Sequence, residues 1–168
     1  TYIDGDKGIL LYRGYPIEQL AEHSSHLEVS YLLLHGELPT SQQLKAFESD
    51  VNENMGLDEH FKKIFDGFTS KSHPMAMVCS AIAGLAALNH ENLDLNDPEY
   101  RLNAATQLIA KIPTIAAMAY RKSVEKPFVE PRPELNYAEN FLHMCFGEPN
   151  VNPAVSKTLS SALDKIFI

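Results

Sequence analysis

The sequence predicts an all-α protein that carries a short β-hairpin at its N-terminus. Apolar residues recur at helical spacing through most of the 168 residues. Proline and small polar residues stand immediately before many of these segments, where helices begin. Residues typical of strands flank a turn only at the start of the chain. Together these observations indicate a multi-helical fold with little sheet.

The N-terminal segment 2–12 is typical of a hairpin. Tyr2-Ile3 and Ile9–Tyr12 are strand-type residues on either side of the sequence Asp-Gly-Asp-Lys-Gly. Glycine after aspartate suits a tight turn that needs positive φ. The aspartates also resemble the start of a calcium loop, but Gly8 and Tyr15 occupy positions where calcium needs oxygen ligands. The segment therefore predicts a structural turn and no metal site.

The first three helices each have a start or an end signal. Pro16 stands where the first turn of a helix tolerates proline, and the apolar segment 27–34 predicts the second helix. Gly36 suits the end of that helix because glycine readily adopts the left-handed conformation found there. Thr40 or Ser41 provides an N-cap for the third helix.

The middle of the chain predicts three more helices. Asp58 caps the fourth, and Pro74 begins the fifth. Asp97-Pro98 is an N-cap followed by proline at the first position of the sixth. Pro113 falls inside the sixth helix, but the apolar pattern continues after it. We therefore expect one long, kinked helix.

The C-terminal part predicts a loop between two further helices. Three prolines within residues 125–136 indicate that this segment is a loop. Residues 137–146 predict a helix, and Asn152-Pro153 begins the last one. The apolar residues of that last helix are expected to face inward: Val155, Leu159, Leu163, Ile166 and Phe167.

The composition is that of an ordinary globular protein, with 45% hydrophobic and 21% charged residues. The net charge is -8 and no basic block is present, which argues against a nucleic-acid binder or a binder of anionic membranes. The whole chain, residues 1–168, is predicted to lie in one domain. The two cysteines, Cys79 and Cys145, do not form a disulfide framework, which predicts a reducing, cytoplasmic location.

The fifth helix, predicted over residues 74–90, contains no Asp, Glu, Lys or Arg. It is shorter than the roughly 20 residues of a membrane span, so we interpret it as a buried core helix. Small residues recur along it at helical spacing: Ala76, Ser80, Gly84 and Ala87. Such a stripe permits close packing of another helix of the same chain. It also suits a subunit interface, and the pattern alone leaves both interpretations open.

No motif in the chain identifies an active site. His23 and His26 have a spacing that metal ligands on a helix use, but a solvated loop explains them better. His73 is either a general base or anion contact or, as we favour, a helix-start residue that bonds local backbone. Cys79 is interpreted as a small buried apolar residue. The sequence thus predicts no catalytic, cofactor-binding or metal-binding residue.

Several segments, taken in order, closely resemble the N-terminal part of bacterial citrate synthases. The first is the hairpin and following helix at residues 3–21. The others are Leu27–Thr40, Ser72–Ala76, Lys111–Thr114, Pro127-Phe128 and Asn140–Met144. The resemblance runs along the whole chain without large gaps. Because the chain begins with Thr1 and stops within an apolar helix, we interpret it as an N-terminal or internal fragment of a member of this family.

The resemblance implies that residues 1–168 are part of the multi-helical large domain of the citrate synthase fold. It implies an acyltransferase that condenses acetyl-CoA with oxaloacetate and water to citrate and CoA in the tricarboxylic acid cycle. Acetyl-CoA is then a substrate and no cofactor is expected. The catalytic His and Asp residues of the family lie beyond the matched region. We therefore expect no catalytic residue before Ile168 and an inactive chain when it is isolated.

The resemblance also implies assembly as a homodimer or as a hexamer of dimers through apolar helices, with small molecules as the other partners. The fifth helix resembles one that packs across the family's dimer interface. This favours the interface interpretation of the small-residue stripe. The candidate interface residues are Ala76, Ser80, Gly84 and Ala87.

Two alternatives to this function stay open. One is a 2-methylcitrate synthase, which takes propionyl-CoA, because the acyl pocket that distinguishes them is not in this stretch. The other is a non-catalytic helical interaction module.

The resemblance also bears on regulation. The positions that match the NADH site of some bacterial members are Glu53, Asn54, Asn89, Gln107 and Lys111. Only the lysine is retained, and Glu53 would repel phosphates. We predict that the intact enzyme is not inhibited by NADH.

Overall fold

The structure, a computed structural model, describes residues 1–88, 94, 96–151 and 155–168. It confirms the all-α prediction. The helices are α1 Ile17–His23, α2 His26–His35, α3 Ser41–Asn54, α4 Glu59–Lys62, α5 Pro74–Leu88, α6 Pro98–Ser123, α7 Tyr137–Phe146 and α8 Lys157–Phe167, and a 3-10 helix spans Lys63–Gly67 directly after α4.

The chain divides into two compact units. The first unit consists of Thr1–Asp50 and Ser156–Ile168, and the second unit is Val51–Val155. Each unit has its own buried cluster of apolar residues. That the whole chain is part of one large helical domain stays a prediction.

A three-stranded antiparallel sheet opens the first unit, with β1 Tyr2–Asp4, β2 Ile9–Tyr12 and β3 Tyr15–Pro16. The predicted hairpin of β1 and β2 is confirmed, and the backbone N–H of Lys7 donates to Asp4 Oδ1 at 3.1 Å within its turn. The third strand was not predicted. It follows Arg13-Gly14, whose positive φ values of 50° and 91° give the twist that a two-residue hairpin turn needs.

Helix α2 forms the centre of the apolar cluster in the first unit. Its Val29 and Leu32 pack with Leu20 of α1, and Ile168 lies against this cluster. The helix ends as predicted at Gly36, which has a φ of 92°. Here the left-handed conformation allows the Gly36 N–H to donate to the carbonyl of Leu32 at 2.8 Å.

The prediction of a solvated loop at His26 is wrong. His26 is the first residue of α2 and is partly buried, whereas His23 is exposed at the end of α1. The His26 backbone N–H donates to the two carboxylate oxygens of Asp164 at 3.2 and 3.3 Å, and its ring Nδ1 lies 3.1 Å from the carbonyl oxygen of Phe167. Both partners belong to α8 and its end, far away in sequence, so the polar residues around His26 did not reveal them.

Helix α8 begins later than predicted. The predicted start, Asn152-Pro153, lies outside the described residues, and the N-cap is Ser156, whose hydroxyl accepts from the N–H of Leu159 at 3.4 Å. The inward orientation predicted for Leu159 and Ile166 is wrong, since they are 61% and 76% exposed. The helix instead turns Ser160 and Asp164 inward, because Asp164 binds the N-terminus of α2.

The second unit is organised around α6, which runs without a break through Pro113 as predicted. Its residues from Pro113 to Ala119 are almost all buried. They pack with α4, the 3-10 helix and α5. The shared cluster contains Leu57, Phe61, Phe65, Met77, Ala81, Leu85, Ile115, Met118 and Ala119.

Pro113 removes one hydrogen bond from α6. Proline has no backbone N–H, so the carbonyl of Ile109, four residues earlier, loses its helical donor. The hydroxyl of Tyr137 in α7 donates to this carbonyl at 2.8 Å. Burial raises the pKa of Tyr137, which keeps the hydroxyl protonated as a donor. The side chain of α7 thus completes the backbone of α6.

Tyr137→Phe is expected to lower the free energy of unfolding by about 1–2 kcal/mol, since it leaves a carbonyl without a donor. The matched control is Tyr15→Phe, which makes the same chemical change at a side chain that is 39% exposed. Pro113→Ala restores a backbone N–H, so Tyr137→Phe should cost less in that background. Chemical denaturation of the four variants measures the coupling. Equal costs of Tyr137→Phe in the two backgrounds would contradict the proposed pairing.

Stability is expected to fall as the pH drops below the ordinary His pKa. Burial lowers the pKa of His26 from 6.5 more than the nearby Asp164 raises it, and burial also lowers the pKa of His143. The unfolded chain therefore binds protons first, and the stabilisation present above pH 6.5 is lost on acidification. Denaturation at about pH 7.5 and about pH 5.5 should show a smaller loss for His26→Gln than for the wild type. An unchanged loss would show that His26 does not contribute.

Candidate functional site

The candidate interface lies on α5, which has two different faces. One face carries Met77, Ala81 and Leu85, which are buried in the core of the second unit. The opposite face is exposed and still apolar. Its exposed residues are Met75, Ala76, Cys79, Ser80, Ala83, Ala86, Ala87 and Leu88. Helix α5 is therefore not buried on all sides by the described part of the chain, although its sequence is apolar all round.

Of the four candidate interface residues, three lie on this exposed face and one does not. Ala76, Ser80 and Ala87 are exposed, whereas Gly84 is partly buried. A Cβ atom at Gly84 would lie 2.9 Å from Cδ1 of Ile64 and 3.5 Å from Cε2 of Phe61. Gly84 thus allows α5 to approach its own chain closely. The role of all four residues in a subunit interface stays a prediction.

The exposed face of α5 has little polar character. Met75 and Leu88 at its ends are 61% and 58% exposed, and small side chains lie between them. The interpretation of Cys79 as a buried residue is wrong, because its side chain is on this face. The reason is that α5 packs through the row of Met77 and Ala81, and Cys79 lies on the other side. An apolar helix that packed on this face would bury few polar groups.

The other residues singled out in the sequence have structural positions. His73 precedes α5, and its ring Nδ1 accepts from the N–H of Met75 at 3.2 Å, which is the local backbone bond we favoured. His90 and Asn89 lie outside the described residues. Cys145 is buried, and burial raises the pKa of its thiol to about 11, so it is not a reactive thiolate near neutral pH.

Lys111, which the resemblance matches to the NADH site of some bacterial members, contacts backbone. Its Nζ donates to the carbonyl of Asn54 at 2.8 Å and to that of Gly56 at 3.3 Å, at the C-terminal end of α3. Partial burial lowers its pKa. The lysine therefore has a structural use in the second unit. The absence of NADH inhibition stays a prediction.

Arg121 is a buried cation that the sequence analysis missed. It is only 1% exposed, near the end of α6. Its Nη1 donates to the carbonyls of Cys145 and Gly147 at 3.1 and 2.9 Å, and its Nε donates to the carbonyl of Pro127. These carbonyls include the C-terminal end of α7, where a cation is favourable. The sequence did contain a signal for a buried cation, because Arg121 interrupts an otherwise apolar helix face. Its acceptors are backbone carbonyls, which no sequence pattern identifies.

Asn140 is a second polar residue whose role emerges only from the structure. It is buried, and its amide nitrogen donates to the carbonyls of Arg132 and Leu135 at 2.9 and 3.0 Å. Its Oδ1 accepts from the N–H of Arg132 at 2.7 Å. One amide thus holds the proline-rich loop against α7. Asn140 belongs to the segment that carried the family resemblance, and its geometry gives that segment a structural reason.

The described residues offer no arrangement typical of a metal site, because no three His, Cys, Asp or Glu side chains among them are close enough to share an ion. None of the helices in the described part of the chain is both long and apolar enough to cross a membrane.

Comparison with known proteins identifies similar sequences and structures. The family model described as "Citrate synthase, C-terminal domain" matches residues 1–168. The citrate synthase of Pyrobaculum aerophilum is 34% identical with a TM-score of 0.80, and the match covers 95% of this chain and 40% of that enzyme's chain. The citrate synthase of Thermoplasma acidophilum was solved as a ternary complex with carboxymethyl coenzyme A and oxaloacetate. It is 30% identical with a TM-score of 0.86, and the match covers 98% of this chain and 42% of that enzyme's chain. The citrate synthase of Thermotoga maritima is 29% identical with a TM-score of 0.78, and the match covers 98% of this chain and 40% of that enzyme's chain.

The two faces of α5 predict opposite effects of adding the same side chain at adjacent positions. Gly84→Val places methyl groups against Ile64 and is expected to lower the free energy of unfolding by about 1–3 kcal/mol through overpacking. Ala83→Val points away from this contact and should change the stability of the monomer by less than about 1 kcal/mol. Chemical denaturation of both variants measures the difference. Equal losses would contradict the assignment of Gly84 to the internal face.

Proposed function

Because this chain belongs to the citrate synthase family, we propose that it is part of an enzyme that condenses acetyl-CoA with oxaloacetate and water to give citrate and CoA. The observation that carries the proposal is the joint match of family, fold and sequence. The fold follows the Thermoplasma acidophilum enzyme with a TM-score of 0.86 at 30% identity. That enzyme was solved with oxaloacetate and a coenzyme A derivative, which are ligands of the chemistry we propose.

The chain spans about 40% of the length of the solved citrate synthases it matches. We propose that it supplies scaffold and subunit contacts to the enzyme and that the catalytic residues lie outside it. The positions of its histidines support this proposal. His26 contacts Asp164 and the Phe167 carbonyl, and His143 is buried in α7, where burial and the nearby Arg132 lower its pKa. Neither is arranged as a general base in a cleft.

The comparisons favour citrate synthase over both alternatives, since the matched family and all three structural neighbours are citrate synthases. A cytoplasmic location remains part of the proposal. Its support is that neither cysteine forms a disulfide, which is typical of a reducing compartment.

We also propose that the enzyme is a homodimer, or a hexamer of dimers, that pairs through the exposed face of α5. The exposed small residues permit close helix approach, and burying Met75 and Leu88 removes apolar surface from water. The occupant is a second copy of the chain, because isologous pairing places the same apolar face on both sides. Ala76, Ser80, Ala83 and Ala87 are the expected contact residues, and Gly84 supports the contact from the internal side.

The activity is tested on the gene product that contains this chain. We expect release of the CoA thiol from acetyl-CoA that depends on oxaloacetate, and a lower kcat/KM with propionyl-CoA. The isolated 168-residue chain is the control and should release no thiol above background. Preference for propionyl-CoA would point to 2-methylcitrate synthase instead. An inactive gene product that folds would contradict the proposed activity.

Self-association is tested by placing a charge on the exposed face of α5. Ala83→Glu is expected to weaken dimerisation at least about tenfold, since packing would bury an unpaired carboxylate. The matched control is Gln42→Glu, which adds the same charge at an exposed position of α3. Sedimentation velocity over a range of concentrations measures both. A dimer of unchanged affinity in Ala83→Glu would exclude this face as the interface.

A further inference from the structure

A surface cleft in the second unit combines aromatic surface with charged side chains. It has a volume of about 590 Å³, within the range of about 300–1,000 Å³ typical of small-molecule sites. One wall is formed by the end of the 3-10 helix and the residues after it, up to Ser70. The other wall is formed by Lys122 and the loop residues 125–128.

The apolar surface of the cleft is fixed by the core. Phe68 and Phe128 both line it, and both pack edge-on against Phe65, with ring centroids 5.9 and 5.6 Å apart. Phe65 is completely buried. The buried ring of Phe65 therefore holds the two lining rings in place, and these rings offer aromatic surface to a ligand.

The loop wall is held from two sides. From beneath, buried Arg121 donates to the carbonyl of Pro127. Across the cleft, the hydroxyl of Ser70 donates to Oε1 of Glu125 at 2.7 Å. Glu125 has a φ of 54°, an uncommon conformation for a residue other than glycine, and these contacts stabilise it. The cleft is thus largely pre-formed.

Two opposite charges line the cleft without pairing. Lys122 and Asp66 both contribute to the lining, and neither has an ion-pair partner within 4.0 Å among the described residues. The other charged lining residues differ in this respect. Glu125 accepts the serine hydroxyl, and Lys126 lies 3.8 Å from Glu148. The cleft therefore presents one available ammonium and one available carboxylate beside aromatic surface.

We propose that this cleft binds an apolar α-amino acid in its zwitterionic form. The ligand's carboxylate pairs with Lys122, its ammonium group pairs with Asp66, and its side chain packs on Phe68 and Phe128. A ligand with a single charge would pair with only one of the two protein charges. A zwitterion with an apolar side chain pairs with both charges, which adds a second charge-assisted hydrogen bond to the aromatic contact. The site would give the protein a small-molecule ligand in addition to the substrates of the proposed condensation.

Isothermal titration of the gene product that contains this chain tests the ligand class. L-Phenylalanine is the probe, and we expect saturable binding to one site. Phenylpropionate lacks the ammonium group and phenylethylamine lacks the carboxylate, so each should bind at least about tenfold more weakly. Absence of saturable phenylalanine binding, or equal binding of either analogue, would overturn the proposal.

Variants test the location of the site. Lys122→Met and Asp66→Asn should each weaken phenylalanine binding at least about tenfold. Lys63→Met is the matched control. It removes a lysine from the 3-10 helix that contains Asp66, at an exposed position outside the cleft. Its affinity should equal that of the wild type. Unchanged affinity in both cleft variants would place the ligand elsewhere and refute this site. Neither result affects the test of citrate synthase activity.

Discussion

The second unit depends on keeping the backbone of α6 hydrogen-bonded where Pro113 interrupts it. The helix is buried through most of its second half, so a carbonyl without a donor there would carry its full desolvation cost. The Tyr137 hydroxyl provides the donor for Ile109 and thereby fixes α7 beside α6. A proline that is a local defect in one helix thus becomes the point at which a second helix is positioned.

Other polar side chains of α6 extend the same principle to the ends of neighbouring helices. Lys111 donates to the carbonyls of Asn54 and Gly56, and the Thr114 hydroxyl donates to the carbonyl of Met55 at 2.8 Å. At its other end, Arg121 donates to carbonyls at the end of α7. Helix C-termini leave carbonyls without partners, and α6 supplies the donors. This explains why long polar side chains occur in a helix whose surroundings are apolar.

Helix α5 contributes only one face to the core of the second unit. Its other face is apolar and exposed. That division gives the small-residue stripe of α5 two roles. Gly84 allows close packing on Ile64, whereas Ala76, Ser80 and Ala87 remain on the surface that we propose for subunit pairing. The proposed pairing is consistent with this exposed face, because a helix face that is buried in a subunit contact does not need polar side chains. The amino-acid cleft lies on a different part of the second unit and rests on the aromatic core.

The sequence by itself determined most of the helices, several of their caps and the family. Thr40, Asp58, Asp97 and Gly36 are local signals, because a cap or a left-handed residue acts on backbone a few residues away. The tertiary structure decided which residues face each other. Tyr137 with Ile109, Asp164 with His26 and Arg121 with three carbonyls are all contacts across the fold, and backbone carbonyls leave no mark in a sequence pattern. The same reason explains the errors at Cys79, Leu159 and Ile166: helical spacing shows which residues share a face, but only packing decides which face is buried.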